Sequence, residues 1–294
     1  MGFFTKYEGK EDGAIRFYDV KSKKMKFWVI MILIACIAIA VIALFPVFWL
    51  ASTSLKDLTE YMTTTQVLPK KPDWKGWVDT WNAFGFTKYY INSGIAVAGG
   101  VVCAVFFNGL MAYVLGILKP RGHKVVLVLV MWCLLIPPTT SFVALFVNIK
   151  RIGLLKSFVP LWLAMGANAY WVVLFKNFFE SLPKDYLEAA RLDGCGKFRV
   201  FTSIVLPLSK SIIVVVAIFA VTAAWSDFLM PYLLLNGSGK ETVMVKLYSF
   251  NSSIKTNQID LIRAVLYSII PPTIIFAIFQ KQIMDGVMSG GIKG

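Results

Sequence analysis

Glu188, Ala189 and Ala190 are followed at fixed intervals by Gly194, Ile204, Leu206 and Pro207, and this is the most specific pattern in the sequence. The chemistry it offers is mechanical: one carboxylate beside two methyl-sized side chains, a forced turn, then a second apolar-faced segment. Ser181 can cap a helix whose second position is Pro183, where the missing N–H costs nothing. Leu187, Ala190 and Arg191 recur at helical spacing and share one face. Ala189 and Ala190 keep the helix surface thin, so a partner's backbone or a shallow cleft can approach closely. Asp193 leads into Gly194, where a helix should stop because glycine accepts the left-handed cap geometry without penalty. After the break, Phe198, Phe201 and Val205 read as one face of a second short helix. Glu188 can meet an arginine across a contact. Its local alternative is pairing with Lys184 or Arg191 on its own helix, worth only a few tenths of a kcal/mol.

Other chemistry is sparse. The Gly-Lys pairs at positions 9, 196 and 239 lack a glycine five positions earlier and a following Ser or Thr, so there is no phosphate-cradling loop of the Walker type. His123 is the only histidine and sits in a basic turn, and there is no Ser/His/Asp set or histidine pair for hydrolysis. Cysteines 36, 103 and 133 fall inside apolar runs and Cys195 lies in the motif, with neither disulfide framework nor metal spacing. The chain reads as a non-enzyme with no cofactor or metal of its own.

Apolar segments must position the motif. Of 294 residues, 57% are hydrophobic and the mean hydropathy is +0.69, which excludes a soluble globular domain. The net charge of +14 does not point to nucleic acid, because the basic residues are scattered and gather near the ends of apolar runs. Residues 1–26 form a basic N-terminal segment expected in the cytoplasm, and residues 27–50 a first membrane span that stays as an anchor. Residues 51–88 form an extracytoplasmic loop containing Trp74, Trp77, Trp81 and Phe84. It reads either as an amphipathic segment with its tryptophans at the membrane interface, or as a docking surface.

Residues 89–280 form a core of five further spans, at 89–118, 125–147, 157–175, 211–226 and 264–280. The motif loop 181–207 lies between the fourth and fifth spans of the chain. Residues 281–294 form a cytoplasmic tail, whose small residues read by themselves as a frayed terminus. The expected fold is an all-α membrane protein of six transmembrane helices with both termini inside. Pro137–Pro138 and Pro271–Pro272 should kink the third and sixth spans. Gly94, Ala96, Gly99, Gly100 and Ala112 should allow close helix packing.

The 188–207 string resembles, position for position, the EAA signature of the membrane subunits of ABC importers. The flanking PKDYLEAARLDG and the later AWSDFLMP, residues 224–231, look most like carbohydrate-uptake permeases of the maltose-transporter type. The terminal MDGVMSGGIKG, residues 284–294, resembles the tail of the smaller permease of that system. The resemblance covers roughly residues 27–294 and implies the type I ABC importer permease fold in a prokaryotic cell membrane. It implies as partners a homologous second permease, two ATP-binding subunits that hold ATP and Mg, an extracytoplasmic solute-binding protein and a carbohydrate substrate.

By the same resemblance, Glu188 faces a cleft of the ATPase. Ala189, Ala190, Asp193, Gly194, Ile204, Leu206 and Pro207 complete the coupling loop. Ser289, Gly290 and Gly291 insert between the ATPase subunits. For the substrate path, Trp225, Asp227 and Phe228 combine aromatic faces with a carboxylate that would suit a sugar, and Asn168 and Asn108 are further polar candidates inside spans. Asp227 could equally cap a helix or pair with Lys240. Ser226 stands where the family usually has asparagine, so the sugar contacts stay open. The alternatives are a non-sugar solute such as a phosphodiester, polyol, amino acid or peptide, or an ATP-independent channel.

Overall fold

A computed structural model of the chain describes residues 23–251 and 257–291. The basic residues Lys6, Lys10, Arg16 and Lys21 and the last three residues of the tail lie outside that range. Among the described residues all regular structure is helical, and the chain divides into two compact units, 1–73 and 74–294.

The first unit is dominated by α1 (Lys23–Ser54), 32 residues of nearly unbroken apolar sequence that carry Pro46 inside the helix. A short α2 (Leu58–Thr63) follows, its start capped by Asp57, whose carboxylate accepts the Glu60 N–H at 2.6 Å. The Ser52 hydroxyl donates to the Val67 carbonyl at 2.5 Å, and the Lys56 ammonium donates to the Gln66 carbonyl.

The second unit begins with α3 (Trp74–Phe84), α4 (Phe86–Tyr113), α5 (His123–Cys133), α6 (Phe142–Arg151), α7 (Val159–Met165) and α8 (Ala169–Glu180). The motif loop supplies α9 (Lys184–Leu192), α10 (Lys197–Val200) and α11 (Leu206–Leu208). Then come α12 (Lys210–Ser226), α13 (Leu229–Leu235), α14 (Val243–Asn251) and α15 (Gln258–Gly291). α4 is the central helix, packed against α7, α8 and α12, and α12 packs in turn on α15. Small residues make this possible. A Cβ on Gly99 would lie 2.3 Å from the Trp162 ring, whose N–H donates to the Ile95 carbonyl at 3.1 Å. Ala104, Ala112, Phe175, Phe201, Val205 and Val216 form the fully covered interior.

Among the described residues three helical stretches are long and apolar enough to cross a membrane: α1, Phe86–Leu118 and Gln258–Gln282. Two bent pairs raise the number to five if each is one span: α7 with α8 at 46°, and Lys197–Leu208 with α12 at 85°. The six-helix expectation therefore falls one short by this measure. The expected third span, 125–147, is divided because Pro137 and Pro138 open a short 3-10 turn between α5 and α6. In α15, by contrast, Pro271 and Pro272 lie inside one continuous helix. That helix runs on through Ser289, Gly290 and Gly291, so the backbone of the expected frayed tail is helical as far as it is described.

Two of the three tryptophans of α3 pack against aromatic side chains of the second unit. Trp77 and Trp81 stand edge-on to Tyr267 at 5.1 and 5.2 Å, and Trp81 stacks on Phe86. Tyr267 donates to the Trp77 carbonyl at 2.7 Å, and Thr80 donates to Asp260 at 2.7 Å, beside the buried Arg263. Trp74 alone of the three stays largely exposed.

Candidate functional site

The motif loop is a helix, a closed turn and a second helical segment. α9 buries Ala190 and packs Leu187 against the core, while Glu188, Ala189, Asp193 and Gly194 face outward. Gly194 has φ +72°. The Cys195 N–H donates back to the Ala190 carbonyl at 3.0 Å, the long bond of a Schellman cap. A Cβ on Gly194 would meet nothing within 4 Å, so the glycine is required by backbone conformation and not by space.

The second segment departs from the simple helix that its spacing suggests. α10 is one turn long, and Phe201–Val205 is π-helical. The extra residue in that turn changes the phase of the side chains. Phe201 and Val205 are fully buried as expected, but Phe198 is exposed. Ile204 and Leu206 are half-buried and Pro207 is exposed. At Ser209, whose hydroxyl donates to the Val205 carbonyl at 2.7 Å, the chain turns by 85° into α12.

Two cavities undercut α9. One, of about 420 Å³, is lined by Gly116, Lys119, Glu180, Lys184 and Glu188 among others. The other, of about 470 Å³, is lined by Tyr113, Pro120, Gly194, Cys195 and Lys197 among others. Ile117 and Leu187 line both.

The substrate-path residues separate into four places. Asn108 is fully buried and donates to the Ala104 and Met165 carbonyls at 2.7 and 2.9 Å. Its own carbonyl accepts the Asn168 N–H at 2.8 Å, and the Asn168 side chain caps α8 by accepting the Trp171 N–H at 3.1 Å. The two asparagines thus meet at the break between α7 and α8 and satisfy its backbone.

Trp225 is buried in the aromatic cluster, with its N–H donating to the Ser268 carbonyl at 2.9 Å. Asp227 takes the capping alternative: its carboxylate accepts the Met230 N–H at 3.4 Å. Lys240 reaches the Lys156 carbonyl at 3.1 Å. Asp227 lines a small cavity of about 40 Å³ with Ala96, Met165 and Pro231. Phe228 instead groups with Tyr232 and Tyr248 beside a cavity of about 330 Å³ that also involves Met244 and Leu247. Among the described residues no His, Cys, Asp or Glu cluster could hold a metal ion.

The family model for the binding-protein-dependent transport system inner membrane component matches residues 100–285, from mid-α4 to near the end of α15. The chain belongs to this family. It is a multi-pass membrane permease and a transport subunit. Among curated relatives it is similar to the probable ABC transporter permease protein YurM of Bacillus subtilis, at 29% identity over 94% of this chain and 93% of that protein. It is also similar to the diacetylchitobiose uptake system permease protein NgcG of Streptomyces coelicolor, at 28% identity over 86% of this chain and 85% of that one. The melibiose/raffinose/stachyose import permease protein MelC of Bacillus subtilis is 27% identical over 93% and 99% of the two chains. A chain in the crystal structure of a bacterial ABC transporter involved in the import of the acidic polysaccharide alginate superposes with a TM-score of 0.80. That match has 22% identity and covers 88% of this permease and 98% of that chain, which establishes a shared fold.

Reading the motif alone misses the apolar face that the permease presents beside it. Leu192 is 88% exposed, and Tyr186 and Phe198 are also exposed. Tyr186 and Leu192 lie on α9 and Phe198 on α10, so large apolar side chains are exposed on both helices of the loop. The available signal was Leu192, an apolar residue just before the cap and off the Leu187–Ala190 face.

Proposed function

We propose that this permease is one membrane subunit of an ATP-driven importer for a sugar or oligosaccharide. In this reading a homologous second permease completes the pathway, two ATP-binding subunits hold ATP and Mg, and an extracytoplasmic binding protein delivers the solute. The observation that carries it is the outward face of α9. Glu188, Ala189 and Asp193 stand free of the core next to the exposed Tyr186 and Leu192, on a helix pinned by the Gly194 cap. Such a surface is slim enough to enter a cleft, carries a carboxylate for a basic partner, and is rigid enough to be pushed.

Mechanistically, closure of the ATP-bound subunits displaces α9. The displacement passes through the half-buried Leu187 and the buried Ala190, Phe201 and Val205 into the helices around α4 and α12, and access to the pathway alternates. Nucleotide drives this only insofar as the loop makes different contacts in the two states. The loop and both termini lie on the cytoplasmic side in this reading. Ser289, Gly290 and Gly291, at the end of α15, reach the ATP-binding subunits. The substrate reading is supported by relatives named for diacetylchitobiose and for melibiose, raffinose and stachyose. Phe228 and Asp227, at the junction of α12 and α13, are its proposed contacts, with Trp225, Asn108 and Asn168 proposed elsewhere along the path.

Affinity purification of the tagged permease from its host tests this directly. The expected result is a second permease in equal amount and two ATP-binding chains, with ATP hydrolysis that the binding protein stimulates. A stable homo-oligomer without ATPase would refute it, and stimulation by a binding protein loaded only with a non-sugar solute would refute the substrate class.

A further inference from the structure

The loop is tied to one short piece of the permease at both of its ends. At its entry, Glu180, the last residue of α8, bridges two lysines. Its Oε1 lies 2.9 Å from Lys119 Nζ and its Oε2 lies 2.8 Å from Lys176 Nζ. In the middle, Leu187 and Ile117 are the residues shared by the two cavities beneath α9. At its exit, the Tyr113 hydroxyl donates to the Lys197 carbonyl at 3.0 Å, and the buried Phe201 ring lies 5.3 Å from the Tyr113 ring. Tyr113, Ile117 and Lys119 all belong to the last seven residues before the 120–122 turn.

That piece is not an ordinary helix end. Val114–Leu118 is π-helical, closed by the Lys119 N–H donating to the Val114 carbonyl at 2.9 Å, and Lys119 is left-handed with φ +45°. A π turn holds one residue more than an α turn and recurs at functional sites. Returning that residue to α geometry would rotate the chain beyond it by about 100°, the turn per residue of an α-helix. Gly116 lets α8 lie against this segment: a Cβ there would stand 3.2 Å from Lys176 Cγ and 3.4 Å from the Lys176 carbonyl oxygen. The close approach places both lysines on Glu180.

We propose that the π-helical end of α4, residues 113–119, is the joint through which the motif loop drives α4, with Glu180, Lys119 and Tyr113 as its positioning residues. The inference rests on the functional reading above and adds where the motion enters the core. None of the three is among the residues proposed to touch the ATP-binding subunits. Their part is to hold the loop ends and the π segment as one body, so that displacement of α9 becomes rotation or tilt of α4 instead of slack.

The test uses the complete complex in nanodiscs, with the binding protein purified together with the solute it carries as the probe. Three quantities are read: the amount of ATPase that co-purifies, the basal ATPase rate, and the rate with saturating binding protein. In Glu180→Gln combined with Lys119→Gln, the first two should be unchanged. Stimulation by the binding protein should fall about fivefold or more, the scale of an ordinary coupling between sites. The swap Lys119→Glu with Glu180→Lys and Lys176→Glu, which reverses all three charges of the clasp, should restore most of it. Tyr113→Phe, which keeps the ring and removes one hydrogen bond, should lower stimulation in the same direction but less.

Undiminished stimulation in the double variant overturns the proposal. So does a double variant that loses its ATPase subunits and is not rescued by the swap, because the clasp would then serve docking or folding. If the unaltered permease brings no ATPase with it, the functional reading beneath fails instead.

Discussion

Replacing Gly194 by alanine isolates the backbone of the turn, and a control lies two residues away. Gly194 has φ +72°, whereas Gly196 has φ −63° and ψ 149°, an extended conformation open to any residue. A Cβ would meet nothing within 4 Å at either position. Neither alanine therefore clashes, and the two variants differ in backbone conformation alone. Holding alanine left-handed costs about 1–2 kcal/mol. Alanine at 196 adopts its native angles freely and narrows the unfolded chain, a gain of about 0.4–1 kcal/mol.

If the Schellman turn is the form that partners bind, the Gly194→Ala cost appears as a loss of up to about five- to thirtyfold in apparent affinity for the ATP-binding subunit. Gly196→Ala should bind at least as well as the unaltered chain. Gly194→Asn, a side chain that tolerates left-handed geometry, should retain more binding than alanine. Titration of the purified ATP-binding subunit onto the permease pair in nanodiscs, read by biolayer interferometry, measures all three. Equal losses at 194 and 196, or a larger loss at 196, would refute the reasoning that conformation and not space makes Gly194 necessary.

Leu192→Asp should weaken the same titration by tenfold or so, since a leucine that is 88% exposed on the proposed contact face would exchange apolar burial for a desolvated charge; unchanged binding would remove it from the contact. Asn108→Ala should lower the thermal unfolding midpoint in detergent, at about 1–3 kcal/mol for each backbone group at the α7–α8 break left without its partner. An unshifted midpoint would show that water replaces the amide. Deleting residues 285–294 should leave the complex hydrolysing ATP while uptake of a radiolabelled oligosaccharide falls, and unchanged uptake would take the tail out of the mechanism.

The parts of this permease legible in its sequence are those fixed by local rules. Gly194 marks a left-handed cap whatever surrounds it, and Leu187 with Ala190 marks the inward face of α9, because both depend only on spacing along one helix. Pro137–Pro138 likewise announces a break, though not that the break leaves two helices each too short to span.

What the sequence hides depends on partners far along the chain or on a change of helical period. The π turns at Val114–Leu118 and Phe201–Val205 carry ordinary apolar residues, and nothing in their composition separates them from α-helix. Trp77 and Trp81 look like interface residues until Tyr267, nearly two hundred positions later, arrives beside them. Asn108 and Asn168 read as two unrelated polar intrusions, yet a 2.8 Å hydrogen bond joins them. Asp227 offered a carboxylate for substrate, and the cap it makes on α13 became visible only with the backbone of Met230 in place.

Cys195 offers the most direct test, because it lies half-buried in the motif loop, beside the cavity under α9. With Cys36, Cys103 and Cys133 replaced by serine, it is the only thiol left for a membrane-impermeant maleimide. A cytoplasmic lever requires that intact cells show no labelling and that permeabilised cells show it. Labelling of Cys195 in intact cells would put the loop outside, beyond reach of any ATP-binding subunit, and would contradict the account.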